Sequence, residues 1–168
     1  MKKQSIHTIL FLIVFTFLSS CIKKDEFPII PHIEFDSFTK INNNMGYDDK
    51  GILAISFTDG DGDMGLNTEE TSPPYDTSSI YYYNFFITYF EKQNGEFVEV
   101  ELPFTNNSRI PLLNSSGKDK PLKGKIEIEL FINNYTSPFD TIRFDVFVVD
   151  RALNHSNTIT TPDIVIDK

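Results

Sequence analysis

Apolar residues recur at every second position through most of the chain after residue 28, and this period constrains the fold most. The clearest runs are 53–57, 98–102, 126–130 and 142–148. In the last three runs charged residues occupy intervening positions, as expected for β-strands with one buried face. No amphipathic helix pattern appears after residue 28, so the chain is predicted to be all-β.

The runs and turn signals together predict about seven strands. Asn94-Gly95 is a strong hairpin signal, and Pro162 marks the last strand as an edge strand or a bulge. A further short strand is predicted at 109–113. Strands at this spacing favour an antiparallel β-sandwich. The predicted strands are 33–35 with the residues around it, 51–58, 81–91, 98–102, 126–130, 142–148 and 157–166.

Residues 1–20 have the pattern of an export signal and not of a folded element. Lys2 and Lys3 precede an apolar run at 9–18 that ends in small residues. The run is shorter than the ~20 residues of a membrane-spanning helix, which indicates a cleaved signal peptide. Cys21, the one cysteine of the chain, follows directly and cannot form an internal disulfide.

The four residues Leu18-Ser19-Ser20-Cys21 resemble the lipobox of bacterial lipoproteins. The resemblance implies cleavage before Cys21, covalent lipid (palmitate and related acyl chains) on that residue, and attachment to the outer membrane through the lipid. The alternative is an ordinary secretory signal followed by an incidental cysteine. The predicted organisation is a signal peptide at 1–20, a lipidated cysteine and tether at 21–28, and a β-sandwich domain at 29–168.

Charge excludes one class of partner. Loss of Lys2 and Lys3 with the signal leaves 13 basic residues against 24 acidic ones, a net charge of −11. Nucleic acid would repel such a chain, so it is not an expected partner.

Within the tether, Lys24-Asp25-Glu26 resembles the surface-export signal of Bacteroidetes-type lipoproteins. A solvated linker explains it equally well, so both the periplasmic and the cell-surface side stay open.

The stretch Asp59-Gly60-Asp61-Gly62-Asp63 places three carboxylates at alternate positions. No Lys or Arg occurs between residues 51 and 91 to compensate them. Clustered carboxylates repel one another, and oxygen ligands on a flexible loop suit Ca²⁺. Glu69 or Glu70 is expected to close the site. Met64 stands where an EF-hand requires glycine, so the loop is not an EF-hand, and a solvated turn is the alternative.

Residues 144–157, which include Asp150-Arg151-Ala152-Leu153-Asn154, resemble the last hairpin of bacterial immunoglobulin-like and fibronectin-III-like domains. Leu153 replaces the glycine usual there. In such a sandwich the loops after the second and sixth strands share one end, which would bring Asp150 and Asn154 to the loop that contains Asp59, Asp61 and Asp63. Asp150 alone is also explained as a turn cap. The candidate metal ligands are Asp59, Asp61, Asp63, Glu69, Glu70 and Asp150.

Catalysis is not predicted. The mature chain has two histidines, His32 and His155, and neither lies in a recognised catalytic motif. As a whole the chain looks like a small Bacteroidetes-type outer-membrane lipoprotein, non-catalytic, that binds an envelope protein. The alternative is a glycan-binding surface lipoprotein, because aromatic residues can stack on sugars. Those aromatic residues are Tyr81, Tyr82, Tyr83, Phe85 and Phe86.

The anchor prediction is tested by Cys21→Ala. The apolar run at 9–18 is the longest in the chain and is expected to leave with the signal, so the variant should lose its attachment to the membrane. Fractionation of cells after a high-salt wash measures this. Retention of most of the variant in the membrane fraction would contradict the lipoprotein interpretation.

Overall fold

A computed structural model describes residues 26–113 and 120–168. The predicted signal peptide and the predicted lipidation site, Cys21, lie outside these residues. The described chain is 46% strand and 2% helix, and none of its helices is long and apolar enough to cross a bilayer. The strands are β1 His32–Asn42, β2 Asp48–Asp59, β3 Phe85–Gln93, β4 Glu96–Glu99, β5 Leu122–Phe131, β6 Thr141–Val148, β7 Ile159–Thr160 and β8 Ile164–Val165; a single 3₁₀ turn spans Ile80–Tyr82.

The strands form two antiparallel sheets. One has the order β1-β2-β5, and the other has the order β4-β3-β6-β7, with β8 also paired to β6. Lettered along the chain, these orders are A-B-E and C′-C-F-G, the arrangement of immunoglobulin-like sandwiches without strand D. The predicted antiparallel all-β sandwich is therefore confirmed, with eight strands in place of about seven.

The core lies between the two sheets and follows the period of two. Along β6, buried and half-buried residues alternate without a break. The inward side chains of β2 and β6 are almost fully buried, among them Leu53, Ile55, Phe144 and Val146. β2 is the middle strand of its sheet and β6 has a partner on both sides, so these two strands hold the ends of their loops firmly.

Four predicted strands differ from the structure. The strand predicted at 81–91 begins only at Phe85, because Ser79 caps a 3₁₀ turn by accepting a hydrogen bond from the Tyr81 N–H. The segment 109–113 makes one isolated bridge, Leu66 to Pro111, since a proline has no N–H to extend a ladder. The strand predicted at 98–102 ends at Glu99, shortly before Pro103. Pro162 was predicted to mark an edge strand or a bulge, and the return at 157–166 is instead split into β7 and β8 on either side of this residue.

A buried ion pair supports the sandwich at the start of β2. Asp48 is 2% exposed and accepts hydrogen bonds from Lys40 Nζ at 2.5 Å and from the Asp167 N–H at 2.9 Å. Burial alone would raise the pKa of Asp48, but these hydrogen bonds outweigh it and hold the pKa below its usual value. The pair therefore ties β1, β2 and the C-terminal segment together.

We expect Asp48→Asn to lower the free energy of unfolding by about 1–3 kcal/mol at neutral pH, because a neutral amide cannot replace the charge-assisted hydrogen bond from Lys40. The folded pKa is lowered, so this contribution is complete above the unfolded pKa of about 3.9. It is lost as pH falls through the lower folded value. Urea unfolding of both proteins at pH 7 and at about pH 2–3 should show the difference shrinking in acid.

The control is Asp163→Asn, which removes an exposed pair with Lys92 and should change stability by less than about 0.5 kcal/mol. Equal effects of the two substitutions would contradict the account of the buried pair.

Candidate functional site: the acidic pole of the sandwich

The acidic loop leaves the sheet at the end of β2 and is anchored in the core a few residues later. Asp59 is the last residue of β2, and Met64 and Leu66 are buried at 0% and 3% exposure. The Leu66 N–H donates to Ile110 O at 3.1 Å, and Leu66 O accepts from the Leu112 N–H at 3.0 Å. With both ends held, residues 60–63 form a short arch over one end of the sandwich. We call this end, with Asp59, Asp61 and Asp63, the acidic pole.

Gly65 makes this anchoring possible. Its φ is +96°, and a Cβ atom there would lie 2.1 Å from Pro111 O. Glycine is therefore needed both for the backbone angle and for the close approach of the two segments. This explains why the glycine follows Met64, one position later than in an EF-hand, since Met64 fills the core.

The arch brings three carboxylates together. One oxygen each from Asp59, Asp61 and Asp63 lies within 4.8 Å of the other two. Asp59 is 0% exposed, and its Oδ2 accepts from the Met64 N–H at 3.1 Å. The Oδ1 atoms of all three carboxylates are buried and have no hydrogen-bond partner among the described residues. A buried oxygen without a donor costs free energy, so the arrangement is set up for a ligand that accepts electron pairs.

The electrostatics of the cluster agree with its geometry. Burial, followed by the neighbouring Asp61 and Asp63 carboxylates, raises the pKa of Asp59 to about 7. Burial, Asp150 and Asp61 raise the pKa of Asp63 to about 6. Burial is thus the largest cause in both cases, and negative neighbours add to it. Nearby positive charge therefore does not offset the burial and the mutual repulsion of these carboxylates.

Asp150 lies beside the cluster, as the sandwich topology predicted. It is 2% exposed at the end of β6, and the next residue, Arg151, donates its N–H to Asp63 O at 3.3 Å. Asp150 Oδ1 accepts from the Asn154 N–H at 2.7 Å, and Oδ2 accepts from Asn154 Nδ2 at 2.8 Å. Asp150 therefore caps its own turn while adding negative charge next to Asp63. Leu153 adopts φ +67°, the conformation that glycine supplies in the domains this hairpin resembles.

The two glutamates predicted to close the site take other positions. Glu70 Oε1 accepts from Arg151 Nε at 2.6 Å, and Oε2 accepts from the Asn67 N–H at 2.7 Å. Glu69 is exposed. The carboxylate cluster is formed by Asp59, Asp61 and Asp63 and includes neither glutamate. The structure thus joins the three aspartates, places Asp150 at their side and turns Glu70 towards an arginine.

Sequence reasoning missed the residues that hold the rest of the long loop. Arg109 donates to Tyr82 O at 2.8 Å and to Glu70 O at 2.6 Å, and the Tyr75 hydroxyl donates to Arg151 O. Both arginines come from outside the interval that lacks basic residues. The position of Arg151 directly after Asp150 could have indicated that it lies near the loop. No local sequence feature indicated that Arg109 would contact it.

The aromatic residues proposed for sugar stacking mostly use their ring faces within the protein. Phe85 is fully buried. Phe86 stacks on Phe147 with centroids 4.7 Å apart, and Phe147 stacks in turn on His155 at 5.5 Å. Tyr82 and Tyr83 meet at 79°, and the Arg109 guanidinium covers the Tyr82 ring. These rings do not form a flat, open platform.

Comparisons with known proteins add no relative. No protein-family model matches the chain, and neither the curated proteins nor the solved structures contain a match.

Gly65→Ala tests the anchoring of the arch. We expect a loss of about 2–5 kcal/mol in unfolding free energy, from a left-handed backbone cost of roughly 1–2 kcal/mol and an added steric clash. Gly95→Ala is the matched control, because Gly95 has φ +94° but open space around its Cβ position. It should cost only the backbone part. Denaturant unfolding measures both, and equal losses would show that the approach to Pro111 is not tight.

Proposed function

We propose that this chain is a lipid-anchored, non-catalytic binding module of the outer membrane whose acidic pole holds one Ca²⁺ ion. Two observations carry the cation site. One oxygen of each of Asp59, Asp61 and Asp63 lies within 4.8 Å of the others, and the buried Oδ1 atom of each has no hydrogen-bond partner among the described residues. A cation between the carboxylates would supply the missing partners and cancel the repulsion that, after burial, raises the pKa of Asp59 and Asp63.

The chemistry of the ligands favours Ca²⁺ over other ions. The cluster consists of carboxylates and includes no cysteine or histidine among the described residues, which suits a hard cation. Ca²⁺ accepts about 6–8 oxygens in irregular geometry, including backbone carbonyls and water, as an arch of short residues can provide. Mg²⁺ requires a tighter octahedral shell and gives up water reluctantly.

Two observations support a binding role over catalysis. The His155 ring stacks on Phe147, and its Nε2 lies 3.4 Å from the Tyr81 hydroxyl. These contacts are those of a packed aromatic surface residue. The other histidine of the described residues, His32, is exposed and lies 3.8 Å from the Glu34 carboxylate. The inward use of the aromatic faces favours an envelope protein as partner over a glycan. The exposed pair Phe104 and Phe131 offers apolar contact area for such a partner.

We expect Ca²⁺ to raise the melting temperature of the mature chain in detergent. For a weak extracellular site with a dissociation constant of about 10⁻⁴–10⁻³ M, calcium at ten times this value adds about 1.4 kcal/mol. This corresponds to a shift of roughly 3–6 °C, and Mg²⁺ should give less. Melts with about 10 mM CaCl₂, about 10 mM MgCl₂ or EDTA measure the effect, at concentrations chosen for a weak site.

Asp61→Asn/Asp63→Asn should reverse the order of stability between the two conditions. Without cation the variant relieves repulsion and should melt at or above the wild type, whereas with calcium it should melt below it. Glu69→Gln is the control, because Glu69 is exposed and outside the cluster, and it should respond to calcium like the wild type. Coincident calcium and EDTA melts of the wild type would refute the cation site and leave a solvated turn.

A further inference from the structure

The chain segment that leads towards the proposed lipid anchor lies directly on the acidic arch. A Cβ atom at Gly60 would be 2.3 Å from Phe27 O and 2.6 Å from Pro28 O. The backbone of the tether is therefore seated on Gly60 closely enough to exclude even a methyl group. We call this contact the tether seat.

Gly60 lies between two of the proposed cation ligands, Asp59 and Asp61. A cation bound by both carboxylates would fix the backbone of Gly60 from either side. Without a cation, repulsion between the carboxylates favours conformations in which they move apart, and such conformations deform the seat. Whatever stabilises the arch therefore stabilises the contact with Phe27 and Pro28.

We propose that a divalent cation at the acidic pole docks the tether onto Gly60 and so controls how the sandwich is held at the membrane. This inference rests on the proposed function, since it requires both the cation site and the lipid on Cys21. The ligand is the cation, and the partner surface is a segment of the same chain.

Chain geometry shows what docking would change. With the tether seated, six residue steps separate Cys21 from Phe27, a reach of at most about 20 Å. With the tether released, the first firmly held residue is Pro31, which is buried. Ten steps then separate it from Cys21, a reach of at most about 35 Å. Cation binding would thus hold the acidic pole close to the bilayer, and removal of the cation would let the sandwich move away.

The test is hydrogen exchange of the mature, lipidated chain in vesicles, read from peptides covering residues 27–30. Docking would reduce solvent access to the tether backbone, so calcium at ten times the dissociation constant should slow exchange of the peptides covering residues 27–30 by up to roughly tenfold, the limit set by linkage. The calcium concentration at half-protection should coincide with that of the melting shift. Asp61→Asn/Asp63→Asn should abolish both effects.

Gly60→Ala separates the two proposals. Its φ lies outside the left-handed region, so alanine fits the backbone, and the carboxylates stay in place. The variant should lose the protection of residues 27–30. It should still show a calcium-dependent melting shift, but at up to roughly tenfold higher calcium, because coupling between the tether seat and the cation site is reciprocal. If wild-type melting responds to calcium while exchange of the tether does not, the docking inference is wrong and the cation site stands. If neither responds, both are wrong. The wild-type titration decides this even if the variant does not fold.

Discussion

The burial of carboxylates at one pole is the constraint on which the rest of this structure depends. Asp59 is fully buried at the end of a core strand, and two further aspartates follow at alternate positions. Each negative charge there loses hydration and gains a negative neighbour, which is unfavourable without compensation. Three surrounding features hold these carboxylates in place: the central strand β2, the arch that depends on Gly65, and two arginines, Arg109 and Arg151, that come from distant positions in the chain.

Those elements also determine what the pole can do. Because β2 and β6 are bordered by partner strands, Asp59 and Asp150 have little freedom to move apart. The arch that carries Asp61 and Asp63 is tied to the turn after β6 through the hydrogen bond from the Arg151 N–H to Asp63 O. In the proposed cation site these restraints would limit the entropy lost on binding, which favours a useful affinity from few ligands.

The sequence predicted the fold well because the period of two is a local property that the sandwich satisfies globally. The alternation at 142–148 was enough to place β6. Errors came where tertiary contacts override local preference. The tyrosines at 81–83 have high strand propensity, but Ser79 caps a turn there and Arg109 takes the Tyr82 carbonyl. Pro111 likewise prevents a strand in a segment that is apolar enough for one.

At the site, the three aspartates and the approach of Asp150 were predictable from spacing and topology. The position of Glu70 was not, because its partner Arg151 is 81 residues away. The contact of Phe27 and Pro28 with Gly60 was also not predictable from the sequence, because a glycine next to an aspartate indicates a turn. Only the packing shows that this glycine makes room for another backbone.

The central claim is that the three aspartates share one cation, and a crystal structure of the mature domain grown in calcium tests it most directly. The account predicts a single calcium peak in anomalous difference density about 2.3–2.6 Å from an oxygen of each of Asp59, Asp61 and Asp63. Glu69 and Glu70 should lie outside the coordination shell. A pole that contains only water, with the three carboxylates turned apart into solvent, would contradict the claim.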